Sequence, residues 1–560
     1  MSIKHEIEEL VVQTAREVLG DKVDAVLGGT LTVERPPSGV AGDFATNAAL
    51  ISAKAVGRQP RQLASDLAAA LGSAGRARGL LDDAQVAGPG FINMWLTPGR
   101  LAAELTAILR EGARYGSSTA QGGGRRVLIE FVSANPTGPL HIGHARSAAL
   151  GDALANIMGA CGWQVEREYY INNLGRQVRL LGESLKIRWQ ELKDEGQPDA
   201  GNQPDNITYR GDYLVDIARL LPGDAGSWPL EKFSDFAMEC LLESIRSDLE
   251  AFGVHFDNWV YESELYPDII DQIIAILKQK NYAYEKDGAL WLRATDFGDD
   301  KDRVIIRSTK EPTYLASDIG YHHQKFQRKR PYDMLIDIWG ADHHGYVSRL
   351  KASQEALGHN PDVLHIILYQ LVNLWRGSEK AIMSTRAGEF VTMKQVLDEV
   401  GVDACRWFLL SRNADAAIDF DLALAKEQSA KNPVYYIQYS HARISSIFRE
   451  AENRGVKYEP GPGTSSLASL LTQPEEAGLM KHLACFPDIV EMCAQAFEPS
   501  ALTGYLLELA RKFHEYYEKH RILGIGDESL TQARLVLCGC VQTVISDGLR
   551  LLGITAPERM

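Results

Sequence analysis

The sequence predicts a multidomain protein: a small α+β domain at the amino end, a doubly wound (Rossmann-type) α/β domain with a helical insertion in the middle, and an all-α bundle at the carboxyl end. Three observations carry this. At 560 residues the chain exceeds what one hydrophobic core organises. From Arg125 to about Asp421, short apolar runs alternate with helical periodicity, the mark of parallel strands joined by crossover helices. Beyond Asp421 apolar residues recur every three or four positions with polar faces between them, which is helix alone.

Taken in order, residues 3–19 have helical periodicity, 31–35 read as a strand, and 45–54 and 60–71 read as helices. Residues 84–96 read as one strand kinked at Gly88-Pro89-Gly90. The small, polar stretch 117–124 marks a linker; its glycines precede a strand rather than follow one, so they make a hinge and not a phosphate loop. Arg126–Val132 suits a buried strand and Ala145–Ala155 a helix, with further strands at 165–171, 333–339 and 363–369. From roughly Ser184 to Gln279 the chain is charged and helical without sheet character, as an insertion between two halves of a doubly wound sheet would be. Helices at 435–448, 476–496, 501–521 and 530–552 pack naturally as a bundle.

Composition narrows the class. With 45% hydrophobic and 24% charged residues the chain is ordinary globular material. No apolar run is long enough to span a bilayer, and the first residues lack the apolar core of a signal peptide, so a cytoplasmic location is expected. Seven cysteines without a C-x-x-C pair indicate neither a disulfide framework nor a zinc ribbon. A net charge of −15 argues against general nucleic-acid affinity but not against a specific RNA ligand, because basic segments interleaved with aromatics occur at 322–330 and 511–521.

One segment carries chemistry by itself. SANPTGPLHIGHARS at 133–147 follows the first strand of the α/β domain and opens a helix. A strand, a Pro/Gly turn and a helix aim unpaired backbone N–H groups and the positive end of the helix dipole at whatever lies above the turn, and phosphate is the usual guest. His141 and His144 lie three residues apart on the first helical turn, where both can donate to phosphate oxygens. Two histidines alone are equally well explained as a buried pair at a helix start; the block around them decides.

That block closely resembles the HIGH signature of class I aminoacyl-tRNA synthetases, in the longer ANPTGPLHIGH form of the arginyl-tRNA synthetase family. GDFATN at 42–47, AGPGFIN at 87–93, EYYINN at 168–173, YLASD at 314–318, GVDACR at 401–406, NPVYYIQYSHAR at 432–443 and GLRLLGITAPERM at 548–560 resemble the same family, over nearly the whole length. The resemblance implies that ATP and L-arginine give arginyl-adenylate and pyrophosphate, and that the arginyl group then passes to the 3′-terminal adenosine of tRNA-Arg. It implies an additional α+β domain over 1–115 that touches the tRNA corner, a class I catalytic domain over 116–425 with its connective insertion at about 184–300, and an anticodon-binding helical domain over 426–560.

Residue roles follow from matching positions. His141, His144 and Gly143 would bind ATP, the two histidines catalytically. Gly340 and Asp342 in GADHH would meet the ATP ribose and His344 the amino acid; a zinc pair lacks a third ligand, so no structural metal is expected. Arginine selection needs carboxylates, because a guanidinium presents five donors that a carboxylate meets in a two-pronged contact. Asp318 is the first choice, with Tyr314 on the same helical face at i,i+4, while Glu130 and Asn135, with His144, would hold the ammonium and carboxylate. Tyr435, Tyr436, Gln438, Tyr439 and Arg443 are candidates for tRNA, about half of which must face the core. Mg²⁺ would accompany ATP, held mainly by phosphates and water. A monomer is expected.

The sequence departs from the class at one point. The second signature, usually KMSKS or KMSKR, is Ile382-Met383-Ser384-Thr385-Arg386 here, so a threonine stands where the catalytic lysine belongs. Met383 and Ser384 keep their places at ATP; Arg386, with Lys380 as a lesser helper, is the candidate for the missing charge. Gly138 occupies the position where some relatives carry a compensating lysine. Two alternatives remain open at this point: a tRNA-independent adenylate-forming ligase of the same fold, and a non-catalytic tRNA-binding paralogue.

Overall fold

The structure is a computed structural model that describes residues 2–20, 30–37, 39–119, 121–194, 208–377, 379–380, 391–458 and 464–560. The amino-terminal part runs α1 (Ile3–Leu19), β1 (Val33–Glu34), β2 (Phe44–Thr46), α2 (Ala48–Val56), α3 (Pro60–Ala77), β3 (Leu81–Ala87), β4 (Phe91–Leu96) and α4 (Pro98–Glu111). Its antiparallel sheet has the order β1-β2-β4-β3. The expected single strand over 84–96 is a hairpin: Gly88 and Gly90 take φ of +54° and +151°, and Ala87 pairs with Phe91 across the turn. Glycine tolerates those angles, so the Gly-Pro-Gly run reverses the chain instead of kinking it.

The middle of the chain continues with β5 (Arg126–Glu130), α5 (Ile142–Ala160), β6 (Gln164–Ile171), α6 (Arg176–Asp194), α7 (Asp212–Arg219), α8 (Leu230–Ala251), β7 (Asn258–Tyr261), α9 (Asp268–Gln279), β8 (Ala283–Lys286), β9 (Ala289–Leu292) and β10 (Arg303–Ile306). Then come α10 (Tyr314–Phe326), β11 (Met334–Gly340), α11 (Val347–Leu357), β12 (Leu364–Tyr369), β13 (Val372–Arg376), β14 (Glu379–Lys380), α12 (Met393–Val400), α13 (Val402–Leu410), β15 (Ile418–Asp421) and α14 (Leu422–Lys426). Five strands form a parallel sheet in the order β12-β11-β5-β6-β7. The order reverses between β5 and β11, and a doubly wound sheet opens its ligand crevice at such a switch, beyond the carboxyl ends of the strands.

One expectation is corrected here. The stretch 184–279 is not free of sheet: β7 is the edge strand of the main sheet, paired with β6 through Glu168–Asn258 to Ile171–Tyr261. Four residues, Asn-Trp-Val-Tyr, are too few to show a periodicity against the helices on either side.

The remaining helices are α15 (Pro433–Asn453), α16 (Thr464–Ala468), α17 (Pro474–Leu483), α18 (Phe486–Ala496), α19 (Ser500–Lys519) and α20 (Glu528–Leu551). This bundle shares one continuous core with the sheet and α5. Gly151 of α5 lies so close to the sheet that a Cβ there would come within 2.2 Å of the Phe131 ring. The fully buried Arg406 bolts three parts together, donating to Asp152 on α5 at 2.6 Å, to the Leu552 carbonyl at 2.8 Å and to the Phe252 carbonyl at 3.2 Å. No helix among the described residues is long and apolar enough to cross a membrane.

Candidate active site

At the switch point, β5 ends in a strained turn. Val132 and Ser133 take φ of +68° and +38°, a region that costs a β-branched residue on the order of 1–3 kcal/mol. Three hydrogen bonds hold the turn: the Val132 N–H donates to Ser147 Oγ at 2.9 Å, Ser133 Oγ to Glu130 at 2.8 Å, and the Tyr170 N–H to Ser133 Oγ at 3.1 Å. The loop beyond is pinned from two sides, by the Tyr169 hydroxyl on the Ala134 carbonyl at 2.9 Å and the Tyr213 hydroxyl of α7 on the Thr137 carbonyl at 2.7 Å. Helix α7 therefore braces this loop directly.

The loop delivers the histidine pair to the first turn of α5. His141 is the N-cap; its Nδ1 accepts from the Gly143 N–H at 3.1 Å, while Nδ1 of His144 accepts from the His141 N–H at 3.3 Å. The two rings form a capping box, a role Ser and Glu usually fill. They stack with centroids 3.7 Å apart. Because both Nδ1 atoms accept, each neutral ring must carry its proton on Nε2, where it can be donated. Burial lowers the pKa of both, that of His144 to about 3 with the neighbouring ring as a second cause. The pair is thus a neutral double donor at physiological pH.

A cavity of about 870 Å³ opens over these elements. Glu130, Asn135, His141, Gly143, His144, Asp318, Gly340 and Asp342 all line it. Asp318 accepts from the Tyr346 hydroxyl at 2.5 Å. Burial raises its pKa to about 6, opposed chiefly by that hydrogen bond. Tyr314 stands elsewhere: it is 55% exposed and borders a neighbouring recess with Glu262, Tyr266 and Ser317. Of the two adjacent histidines, His343 lines the cavity and His344 is exposed beside it. Among the described residues lining the cavity there is no lysine or arginine.

Met383, Ser384, Thr385 and Arg386 lie outside the described residues. The chain just after them is anchored on the histidine loop: Thr392 makes an antiparallel bridge with His141, and the Met393 N–H donates to the Leu140 carbonyl at 2.7 Å. Thr392 then caps α12 through Gln395. Lys380 is exposed on β14.

The sequence reading missed the layer beneath the cavity. Lys325, His322, Asp337 and Glu168 are all buried. His322 and Lys325 belong to the basic segment at 322–330, which turns His322, His323 and Lys325 inward from α10 instead of presenting them to solvent or RNA. Only their apolar-side spacing on a helix could have signalled this.

In the bundle, the Tyr435, Tyr436, Tyr439 and Arg443 side chains are half-buried, and Arg443 lies between the Tyr439 and Tyr517 rings at 4.6 and 4.9 Å. Tyr439 and Arg443 border a second cavity, of about 850 Å³, with Arg449, Arg454, Lys519 and Arg521. Gln438 is buried instead; its amide donates to Asp403 at 2.7 Å and the Thr555 carbonyl at 2.9 Å, fastening the carboxyl tail.

A parallel sheet of this order, with an imidazole pair capping the helix after its central strand, is the catalytic unit of a class I aminoacyl-tRNA synthetase, and the family model described as tRNA synthetases class I (R), catalytic domain, matches residues 104–200 and 231–448. The arginyl tRNA synthetase N terminal domain matches residues 2–96 and the DALR anticodon binding domain residues 437–560. The chain belongs to the arginyl-tRNA synthetase family. It is 47% identical to an arginine–tRNA ligase of Syntrophotalea carbinolica, covering 98% of this chain and 100% of that one. An arginine–tRNA ligase of Geobacter is also 47% identical, over 95% of each. The fold matches the solved arginyl-tRNA synthetase of Thermus thermophilus with a TM-score of 0.75, at 24% identity and with 100% of both chains covered.

Proposed function

We propose that the cavity beyond β5 and β11 is where this chain, an ATP-dependent arginine–tRNA ligase by family, forms arginyl-adenylate. The observation that carries this is the pair of Nε2 donors at a helix N-terminus, facing one cavity with the Asp318 carboxylate. The arginine carboxylate attacks the α-phosphorus of ATP in line and pyrophosphate leaves, so the protein's task is alignment and stabilisation of negative charge. His141 and His144 donate to the phosphates, the Gly143 backbone lies beside them, and Gly340 and Asp342 meet the ribose. Mg²⁺, carried on the triphosphate and held mainly by phosphates and water, would neutralise further charge when bound.

Asp318, held by Tyr346, pairs with the guanidinium, and Tyr314 closes that end from the adjoining recess. Glu130 takes the ammonium, and Asn135, with His344 at the rim, faces the carboxylate end. Since the described lining offers no lysine or arginine, Arg386 is assigned the charge that the second signature supplies in other class I enzymes. Adenylate formation within a few-fold of parent in Arg386→Ala contradicts that assignment.

Residues 1–115 serve the tRNA corner, 116–425 catalysis and 426–560 the anticodon, with Tyr435, Tyr436, Tyr439 and Arg443 as stacking and donor groups for unpaired bases. The chain works as a cytoplasmic monomer, and its seven free cysteines suit a reducing compartment. Charging of total tRNA with each of the twenty amino acids tests the function: arginine alone should be attached.

A further inference from the structure

Three carboxylates stand side by side across the middle of the sheet. Asp337 on β11 is the register partner of Glu130 on β5, and Glu130 is the partner of Glu168 on β6. All three are buried, and like charges facing one another on adjacent strands repel. Helix α10 and the residues just after it cover the row with opposite charge. Lys325, completely buried, places Nζ 2.5 Å from Glu130 Oε2 and 2.8 Å from Asp337 Oδ1, with the Tyr321 ring beneath it at 4.4 Å. Arg328 pairs with Glu168. The ring nitrogens of His322 lie 2.8 Å from the Asp318 carbonyl and 2.7 Å from Asp337 Oδ2. Lys325, Arg328 and His322 therefore face the three carboxylates.

We propose that Lys325 is a positioning residue for arginine activation: from below the cavity it fixes the Glu130 carboxylate in the orientation that receives the α-ammonium group of arginine. This rests on the assignment of Glu130 to that group. Lys325 is not part of the cavity lining, whereas Glu130 is. A carboxylate has about four acceptor positions, and Lys325 with Ser133 fills two of those on Glu130, leaving others for substrate. Asp337 meets Lys325 and His322 with its two oxygens and is not part of the cavity lining, so it anchors the ammonium of Lys325 and does not serve substrate. Burial alone would lower the pKa of Lys325, but Asp337, Glu130 and Glu168 outweigh it and raise it, so the charge is permanent. Glu130, His322 and Asp337 have the mutual spacing of metal ligands, yet the Lys325 ammonium already bridges two of them, which rules against an ion there.

The test is calorimetric binding, on the full chain, of L-arginine and of 5-guanidinopentanoate, which is arginine without its ammonium. Lys325→Met should weaken arginine by ~10-fold or more while leaving the analogue within about threefold, erasing the preference of the parent. Lys325→Arg, which keeps the charge, should retain much of the preference; Lys325→Gln should not, and this pair decides the matter if the methionine variant fails to fold. Equal weakening of both ligands, or a preference unchanged in Lys325→Gln, overturns the proposal. Glu130→Gln separates it from its premise: a preference that survives there refutes the ammonium assignment itself, whereas a preference lost in Glu130→Gln but kept in Lys325→Gln refutes only the role of Lys325.

Discussion

His141 and His144 cap the same helix with their Nδ1 atoms and stack 3.7 Å apart, so the hydrogen bonds that close the helix end also dictate which nitrogen each ring can offer to a phosphate. Structure and chemistry are one arrangement here. An unpaired backbone N–H costs stability, and capping it with an imidazole Nδ1 selects the tautomer that carries its proton on Nε2.

The neutral state of the pair has a stability consequence. Burial holds the folded-state pKa of His144 near 3, well below the ordinary imidazole value of 6.5. A depressed pKa contributes stability that is complete above pH 6.5 and is lost as pH falls toward 3. His144→Gln, which cannot titrate, should lose less stability than the parent between pH 6 and pH 4 in urea denaturation; parallel pH curves would contradict this.

Arginine affinity should depend on Asp318 with the opposite sense. Its pKa is raised to about 6, so relative to the unfolded chain this group costs stability as pH rises through 6, and the ionised carboxylate appears over that same range. With the guanidinium paired to the ionised form as proposed, KM for arginine should fall as pH rises from 5 to 7. Asp318→Asn should raise KM by ~10- to 100-fold and flatten that dependence, measured by pyrophosphate exchange.

Tyr346→Phe tests the same carboxylate from its other side. The hydroxyl donates to Asp318 at 2.5 Å and opposes the upward shift caused by burial. Its loss should move the acid limb of arginine binding to higher pH without altering tRNA affinity. An unmoved limb would mean that the hydrogen bond does not stabilise the ionised form.

Arg443 should matter for RNA and not for arginine. Held against two tyrosine rings at the bundle cavity, it holds those rings in place for a base to stack on and adds its charge beside them. Arg443→Ala should raise KM for tRNA-Arg by ~10-fold and leave arginine binding unchanged; base stacking is worth roughly 1–3 kcal/mol.

What could be read in the sequence was local. The helix start at His141, the strand before it and the periodicity of the bundle each lie within a short window, where turn chemistry and spacing speak directly. What could not be read was assembled across distance. Asp337, Glu130 and Glu168 are neighbours only because β5 lies between β11 and β6, and Lys325 is buried only because that row of carboxylates attracts it. A basic segment and scattered acids carry no sign of that partnership. The edge strand β7 was hidden by its brevity, and the placement of His343 instead of His344 at the cavity depends on the turn after Gly340, which side-chain identity does not determine.

The most direct test of the central claim is single-turnover formation of arginyl-adenylate by His141→Ala with saturating arginine, ATP and tRNA-Arg, beside arginine binding measured separately. Removing one preorganised donor from the developing phosphate charge should slow the step by ~10²–10³-fold while arginine still binds within a few-fold of parent. A rate within a few-fold of parent would contradict the account, because the phosphate chemistry would then lie elsewhere than on the imidazole pair.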